Sequence, residues 1–408
     1  MGSTAAEPTT LPLTRASVVA AHALIKPYIH LTPVQTNTTL STLASTPQSP
    51  EALKGTPWEG QPPARPKIKL FFKCENFQRI GAFKARGAFH AVRRLVERQG
   101  LEEVRRRGVV THSSGNHAQA LALAAQTFAI PAHIVMPAIS TPSKIAGTRA
   151  HGARIYFSGP TAPEREAVVA DVLRETGATL VPPYDHPDVI LGQGTMALEF
   201  AAQVDELVGG RAELGVHREG GRGLDAVITP CGGGGMLAGN AVALRGTGVR
   251  VFGAEPSFQG ADDARRGVER GERVRSVRSL TIADGLRTPL GEWNWGVVAD
   301  EEFVGGLYAV TERNIRDAMR LVLERVKCVV EPSAVVGLAA VLFNEEFRGV
   351  VEREAGEEGW NVGVVFSGGN TTVEAIAQIF REVPEERAER QEGVVGMDGE
   401  RVAENVAG

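Results

Sequence analysis

The residues best suited to chemistry sit where β-rich runs give way to helix-like stretches. The run DAVITP leads into Cys231-Gly232-Gly233-Gly234-Gly235-Met236 and then an Ala- and Leu-rich segment. Consecutive glycines cost backbone entropy, and what they gain is close approach of the backbone to a ligand. At a helix N-terminus the free N–H groups and the dipole form an anion site, for which a phosphate is the natural occupant. The spacing matches neither the dinucleotide fingerprint nor the Walker loop, which points to a cofactor held by one phosphate. A plain flexible turn is the competing reading.

Lys84 stands in IGAFKARGA, between Gly81 and Gly87 and beside Phe83. A lysine that attacks a carbonyl must be neutral, and apolar surroundings with a helix N-terminus lower its pKa. Taken alone, most lysines are solvated surface charges. Two further turns carry small polar groups: Ser113-Ser114-Gly115-Asn116-His117 after GVVTHS, and Ser367-Gly368-Gly369-Asn370 after VGVVFS. Their hydroxyls and amides suit helix capping or the holding of a carboxylate. His117 reads first as a capping or packing residue, since a single histidine has many neutral roles.

These turns need a scaffold. Runs rich in β-formers recur at 68–73, 108–113, 132–137, 153–158, 225–230, 249–255 and 362–367, most followed by helical spacing. Alternation of this kind predicts βαβ units and parallel sheets with helices on both faces. Ligands in such sheets sit beyond the carboxyl ends of the strands, where these turns fall. A helix is expected around Thr14–Lys26. Residues 45–66, rich in Pro, Ser and Gly, read as an exposed loop, and 209–224 as a second surface insertion. The charged end of the chain reads as a disordered tail.

With 408 residues the chain is too long for one compact core. It is 43% hydrophobic and 23% charged, with a formal net charge of -4. That balance argues against a nucleic-acid binder and for a small diffusible partner. Cys74, Cys231 and Cys328 fit no zinc or redox spacing and read as reduced thiols of a cytoplasmic protein. No apolar run approaches the ~20 residues of a membrane span, and no signal or transit peptide is expected.

Five segments in order resemble the serine/threonine dehydratase and serine racemase family of pyridoxal-phosphate enzymes. They are ENFQRIGAFKARGA (75–88), THSSGNHAQALA (111–122), GQGTMALE (192–199), PCGGGGMLAG (230–239) and SGGN (367–370). TIADGLRTPLG (281–291) and EPSAVVG (331–337) match as well, and the resemblance spans about residues 20–380.

The resemblance implies an α/β fold of type II, with two lobes, each a mainly parallel twisted sheet flanked by helices. Residues 1–107 and 187–385 would make the larger cofactor-binding lobe and 108–186 a small mobile one, with 386–408 as tail. Lys84 would be the Schiff-base lysine and the base at Cα. Gly232, Gly233, Gly234, Gly235 and Met236 would cradle the phosphate. Asn116 would meet the cofactor's ring hydroxyl, Phe83 would pack on the ring, and Ser367 would face the pyridine nitrogen. Ser113, Ser114, Asn116 and His117 fall where the substrate binds. Ser114 would be the acid on the opposite face that racemisation needs.

The expected activity is ammonia-lyase action on L-threonine or L-serine. Serine racemisation, or dehydration of threo-3-hydroxyaspartate, stands as the alternative; a binding protein without turnover is a third class. The family also implies a homodimer. The loop 255–263 (EPSFQGADD) resembles the divalent-cation loop of the racemase branch, which would place Mg²⁺, Ca²⁺ or Mn²⁺ on Glu255, Asp263 and the Ala261 carbonyl. Its spacing is about two residues longer than the family pattern. The 28 or so residues after Phe380 are too few for a regulatory domain, which runs upward from ~50 residues.

Overall fold

The computed structural model describes residues 10–113, 115–140, 142–159, 161–209 and 223–381. Most of the insertion expected at 209–224, and the tail from Glu382, lie outside the described residues, as does Ser114.

Ten strands are present among the described residues, in two sheets. They are β1 (Val34–Thr36), β2 (Ile68–Cys74), β3 (Val109–His112), β4 (Ala132–Pro137), β5 (Arg154–Ser158), β6 (Thr179–Leu180), β7 (Ala226–Pro230), β8 (Arg250–Pro256), β9 (Leu307–Val310) and β10 (Trp360–Phe366). The larger sheet runs β1-β2-β10-β7-β8-β9 and the smaller β5-β4-β3-β6. All pairings are parallel except β1 with β2. The result is an α/β fold of two lobes, with helices against the sheets.

The central strands β10 and β7 are buried at every position. Covered on both faces, they read as continuous apolar runs, and for that reason they were legible in the sequence. The edge strands β1, β6 and β9 were not, since two to four residues carry too little pattern. Phe72 of β2 stacks on Phe366 of β10 with ring centroids 4.8 Å apart, joining neighbouring strands through the core.

The first helix is Arg15–Ile25, capped by the Thr14 hydroxyl on the Ser17 N–H. The segment 45–66 is exposed over most of its length, as expected, but is not irregular throughout. It holds a short helix, Pro50–Leu53, and buries Leu53 and Ala64. Buried Arg348 explains this by donating to the carbonyls of Ala44, Thr46 and Ala64, while Glu345 accepts from the Ala64 N–H. A distant guanidinium thus satisfies backbone groups that the local sequence leaves open.

Candidate active site

Lys84 opens the helix Lys84–Gln99, directly after a tight loop from the end of β2. Two successive left-handed residues shape that loop, Ile80 at φ 58° and Gly81 at φ 70°. The first is costly for a β-branched residue. At Gly81 a Cβ would also lie 2.8 Å from Asn370 Oδ1 and would have to displace that amide. The loop is stitched to the turn after β10: Phe83 N–H donates to the Ser367 carbonyl, Gly369 N–H to the Gly81 carbonyl, and Ala82 bridges Gly368.

The Lys84 ammonium donates to the Pro183 carbonyl at 2.7 Å. It lies 5.1 Å from the Phe83 ring centroid and 5.9 Å from that of Tyr184. Burial among these groups lowers its pKa to about 8, against the pull of the Glu331 carboxyl.

Behind Lys84 a buried charge network fixes its helix. Arg86 donates through Nε and Nη2 to Glu75, both at 2.8 Å, and through Nη1 and Nη2 to Glu199 at 3.0 and 2.7 Å. Nη1 also reaches Thr195, and Lys73 donates to Glu199 at 3.1 Å. Two of the sequence motifs, 75–88 and 192–199, thus meet in one cluster with Lys73 of β2.

The glycine loop runs from β7 into the helix Gly235–Leu244. Gly234 is left-handed at φ 88°. A Cβ on Gly233 would stand 2.4 Å from the Tyr184 ring. The Gly233 carbonyl is turned away to the Asn294 amide and the Gly291 N–H. The first-turn N–H groups of the helix have no partner within it, so this cradle suits a phosphate. Tyr184 is a wall common to the cradle and to Lys84. The adjoining Asp185 carboxylate accepts the N–H groups of Glu292, Trp293 and Asn294, which holds the Tyr184 loop in place. A lysine with a lowered pKa and a glycine-lined helix start on one cleft fit pyridoxal phosphate.

Asn116, at the start of the helix Asn116–Thr127, donates to Glu331 Oε1 at 2.9 Å and accepts from Asn370 Nδ2 at 2.7 Å. Burial, then the charge of Asp284, raises the Glu331 pKa to about 7. Ser367 is buried at the end of β10, and Met236 in the first turn after the cradle. The Ser113 hydroxyl accepts from the Gly115 N–H within its own turn. His117 is buried, and its Nε2 meets the Val181 carbonyl at 3.1 Å. Burial, with Lys84 nearby, pushes it down to about 3, so the ring is neutral and packs inward.

Glu255, at the end of β8, accepts the N–H groups of Ala264 and Arg265, in the first turn of the helix Asp263–Arg270. Asp263 accepts from Leu290 N–H through Oδ2, while its buried Oδ1 has no partner. Within that loop Phe258–Gly260 form a tight turn. Among the described residues no group of three or more His, Cys, Asp or Glu could hold a metal. Two crowded carboxylates, one with an orphaned oxygen, still make a donor set that a hard cation would suit.

Sequence reasoning missed Glu331, Tyr184 and the pairing of Lys144 with Asp284, which joins the two lobes at 2.8 Å. The motifs containing Glu331 and Asp284 were visible, but their partners lie far away in the chain. Tyr184 had no sequence signal.

The family model described as pyridoxal-phosphate dependent enzyme matches residues 51–368, and the chain belongs to that family. Within it, the chain belongs to the serine/threonine dehydratase and serine racemase group. It is 38% identical to a serine racemase of Arabidopsis thaliana over 367 residues, 90% of this chain and 95% of that protein. It is 37% identical to a beta-hydroxyaspartate dehydratase of Paracoccus denitrificans over 361 residues, 88% and 96% of the two chains. The structure of maize serine racemase superposes with a TM-score of 0.73 at 36% identity, covering 93% of this chain and 99% of that one.

Proposed function

We propose that the protein is an ammonia-lyase that removes water from L-serine or L-threonine, giving pyruvate or 2-oxobutyrate and ammonia. The observation that carries this reading is Lys84, a buried amine with its pKa lowered to about 8, sharing the Tyr184 wall with the glycine cradle. Pyridoxal phosphate, when bound, supplies a sink for the electron pair left at the substrate's Cα.

The residues then divide the work. The N–H groups of Gly232–Gly235 and Met236 hold the phosphate, and Phe83, Asn116 and Ser367 line the ring. Ser113 and Ser114 receive the substrate carboxylate. Lys84 Nζ holds the cofactor, then takes the proton from Cα. The β-hydroxyl leaves as water. That water is regained when the unsaturated amine hydrolyses in solution, so the net products are 2-oxo acid and ammonia. Residues 108–186 act as a mobile lobe whose closure excludes water. Glu255, Asp263 and the Ala261 carbonyl hold Mg²⁺, or Ca²⁺ or Mn²⁺, and brace the helix that follows. The same reading makes the protein a cytoplasmic homodimer.

Two observations favour a second reading. The Arabidopsis relative is named a serine racemase, and Ser114 matches the serine that racemisation requires. The Paracoccus relative is named for beta-hydroxyaspartate.

The test is a product assay. Cofactor-loaded protein is incubated with L-serine, L-threonine and threo-3-hydroxyaspartate, with and without Mg²⁺, and 2-oxo acid and D-serine are quantified together. Predominant 2-oxo acid from serine or threonine supports the lyase. Predominant D-serine, or turnover confined to hydroxyaspartate, replaces it with the corresponding alternative.

A further inference from the structure

Two cysteines far apart in the chain meet beside the active-site framework. Cys74 is the last residue of β2, and its segment continues through Glu75 and Gly81 to Lys84. Cys328 precedes Val329, Val330 and Glu331. The Cys328 thiol donates to Gln35 Oε1 at 3.4 Å, and Gln35 lies opposite Phe72 of β2. The Asn76 amide donates to the Val329 carbonyl at 3.2 Å. The segment bearing Cys328 is thus docked on the end of β2 from both sides, on the face to which Cys74 belongs, and the two thiols lie close enough to shift each other's titration. Both belong to one core cluster.

We propose that Cys74 and Cys328 are a redox-active pair, at which a peroxide closes a reversible disulfide between the segment leading to Lys84 and the segment leading to Glu331. Cys328 is the thiol that reacts first. It is only 3% exposed but lies between exposed Lys327 and Val329, the latter 56% exposed, so a small oxidant has a short path to it. The neighbouring Cys74 thiol also draws the Cys328 pKa down to about 7 against the effect of burial, while that of Cys74 rises. The thiolate is the nucleophile and the better hydrogen-bonded sulfur carries it.

The step balances. The Cys328 thiolate attacks one oxygen of hydrogen peroxide, the O–O bond breaks, and the departing hydroxide takes up the thiol proton as water. Cys328 is then a sulfenic acid. Cys74 Sγ attacks that sulfur, the S–O bond breaks, and the hydroxide leaves with the Cys74 proton as a second water. Two thiols have lost two electrons and two protons, and one peroxide has become two waters. Cys231 offers a contrast within the same chain. It is fully buried, its thiol is pushed well up by burial and by Glu255 and Asp263, and no cysteine faces it.

The test treats cofactor-loaded protein with one equivalent of hydrogen peroxide, alkylates it under denaturing conditions and maps the unreduced peptides by mass spectrometry. The expected result is a peptide pair joined through Cys74 and Cys328, with Cys231 alkylated, and both thiols recovered after dithiothreitol. Cys328→Ser should abolish the joined pair and leave Cys74 alkylated, and Cys74→Ser should leave Cys328 oxidised singly. Wild-type protein in which both thiols stay free, or Cys328 passes to sulfinic acid while Cys74 stays free, overturns the proposal whether or not the variants fold.

Discussion

Asn116 Nδ2 donates to Glu331 Oε1 at 2.9 Å, tying the first turn of a small-lobe helix to a carboxyl on the segment that follows Cys328. Burial, Asp284 and the proximity of Lys84 and Lys144 together set the charge of that carboxyl. Its pKa is raised from 4.5 to about 7, so the folded protein holds the proton more tightly than the unfolded chain does. Its contribution to stability is full below pH 4.5 and is lost as the pH rises through about 7. Glu331→Gln should remove this dependence. Wild-type melting temperature should fall relative to the variant between these limits, by an amount equivalent to at most on the order of 3 kcal/mol. A constant difference across the window would refute this account.

Lys84 titrates in the opposite sense, its pKa lowered from 10.5 to about 8. Uptake of pyridoxal phosphate by the apoprotein needs the neutral amine, so its rate should rise with pH and level off above about 8. Stopped-flow absorbance of the lysine-bound cofactor reads this directly. Lys84→Ala should lose that absorbance and reduce turnover by about a thousandfold. Turnover retained without the absorbance would remove Lys84 from the chemistry.

At Gly233 the space for a Cβ is taken by the Tyr184 ring, 2.4 Å away. Gly233→Ala must move the ring or the loop, at a cost of roughly 1–3 kcal/mol. The cofactor dissociation constant should rise about ten- to a hundredfold, measured by titrating apoprotein with pyridoxal phosphate. Unchanged affinity would mean that the cradle lies elsewhere.

Lys144 and Asp284 meet across the lobes at 2.8 Å, both partly exposed. A solvated pair of this kind is worth up to ~1 kcal/mol. Asp284→Asn should therefore raise KM about two- to fivefold with a smaller effect on kcat, if the pair favours the closed arrangement. Equal losses in both constants would assign Asp284 a different role.

Arg86 neutralises Glu75 and Glu199 in a fully buried setting. Arg86→Met leaves the two carboxylates without their guanidinium, and breaking a buried pair costs about 3–5 kcal/mol. Denaturant unfolding should show that loss, and restoring charge with Lys should recover only part of it, because lysine cannot make both bidentate contacts. A loss below about 1 kcal/mol would show that Lys73 already balances Glu199.

The sequence by itself determined the alternation of buried strands and helices, the glycine loop at a strand end, and the family. Those features are local: a run of apolar residues or a row of glycines carries its meaning in adjacent positions. The long strands β2, β4, β7, β8 and β10 were legible for that reason, and the short edge strands β1, β6 and β9 were not. The tertiary structure alone decided which groups meet. It brought Glu331 to Asn116 and near Lys84, put Tyr184 against Gly233, gathered Glu75, Arg86 and Glu199 from two motifs, and set Cys74 near Cys328. It also turned His117 inward to the Val181 carbonyl, and drew residues 45–66 onto Arg348. Each of these depends on burial or on a partner more than a hundred residues away or in another lobe, and neither burial nor a distant partner is written in the neighbouring residues.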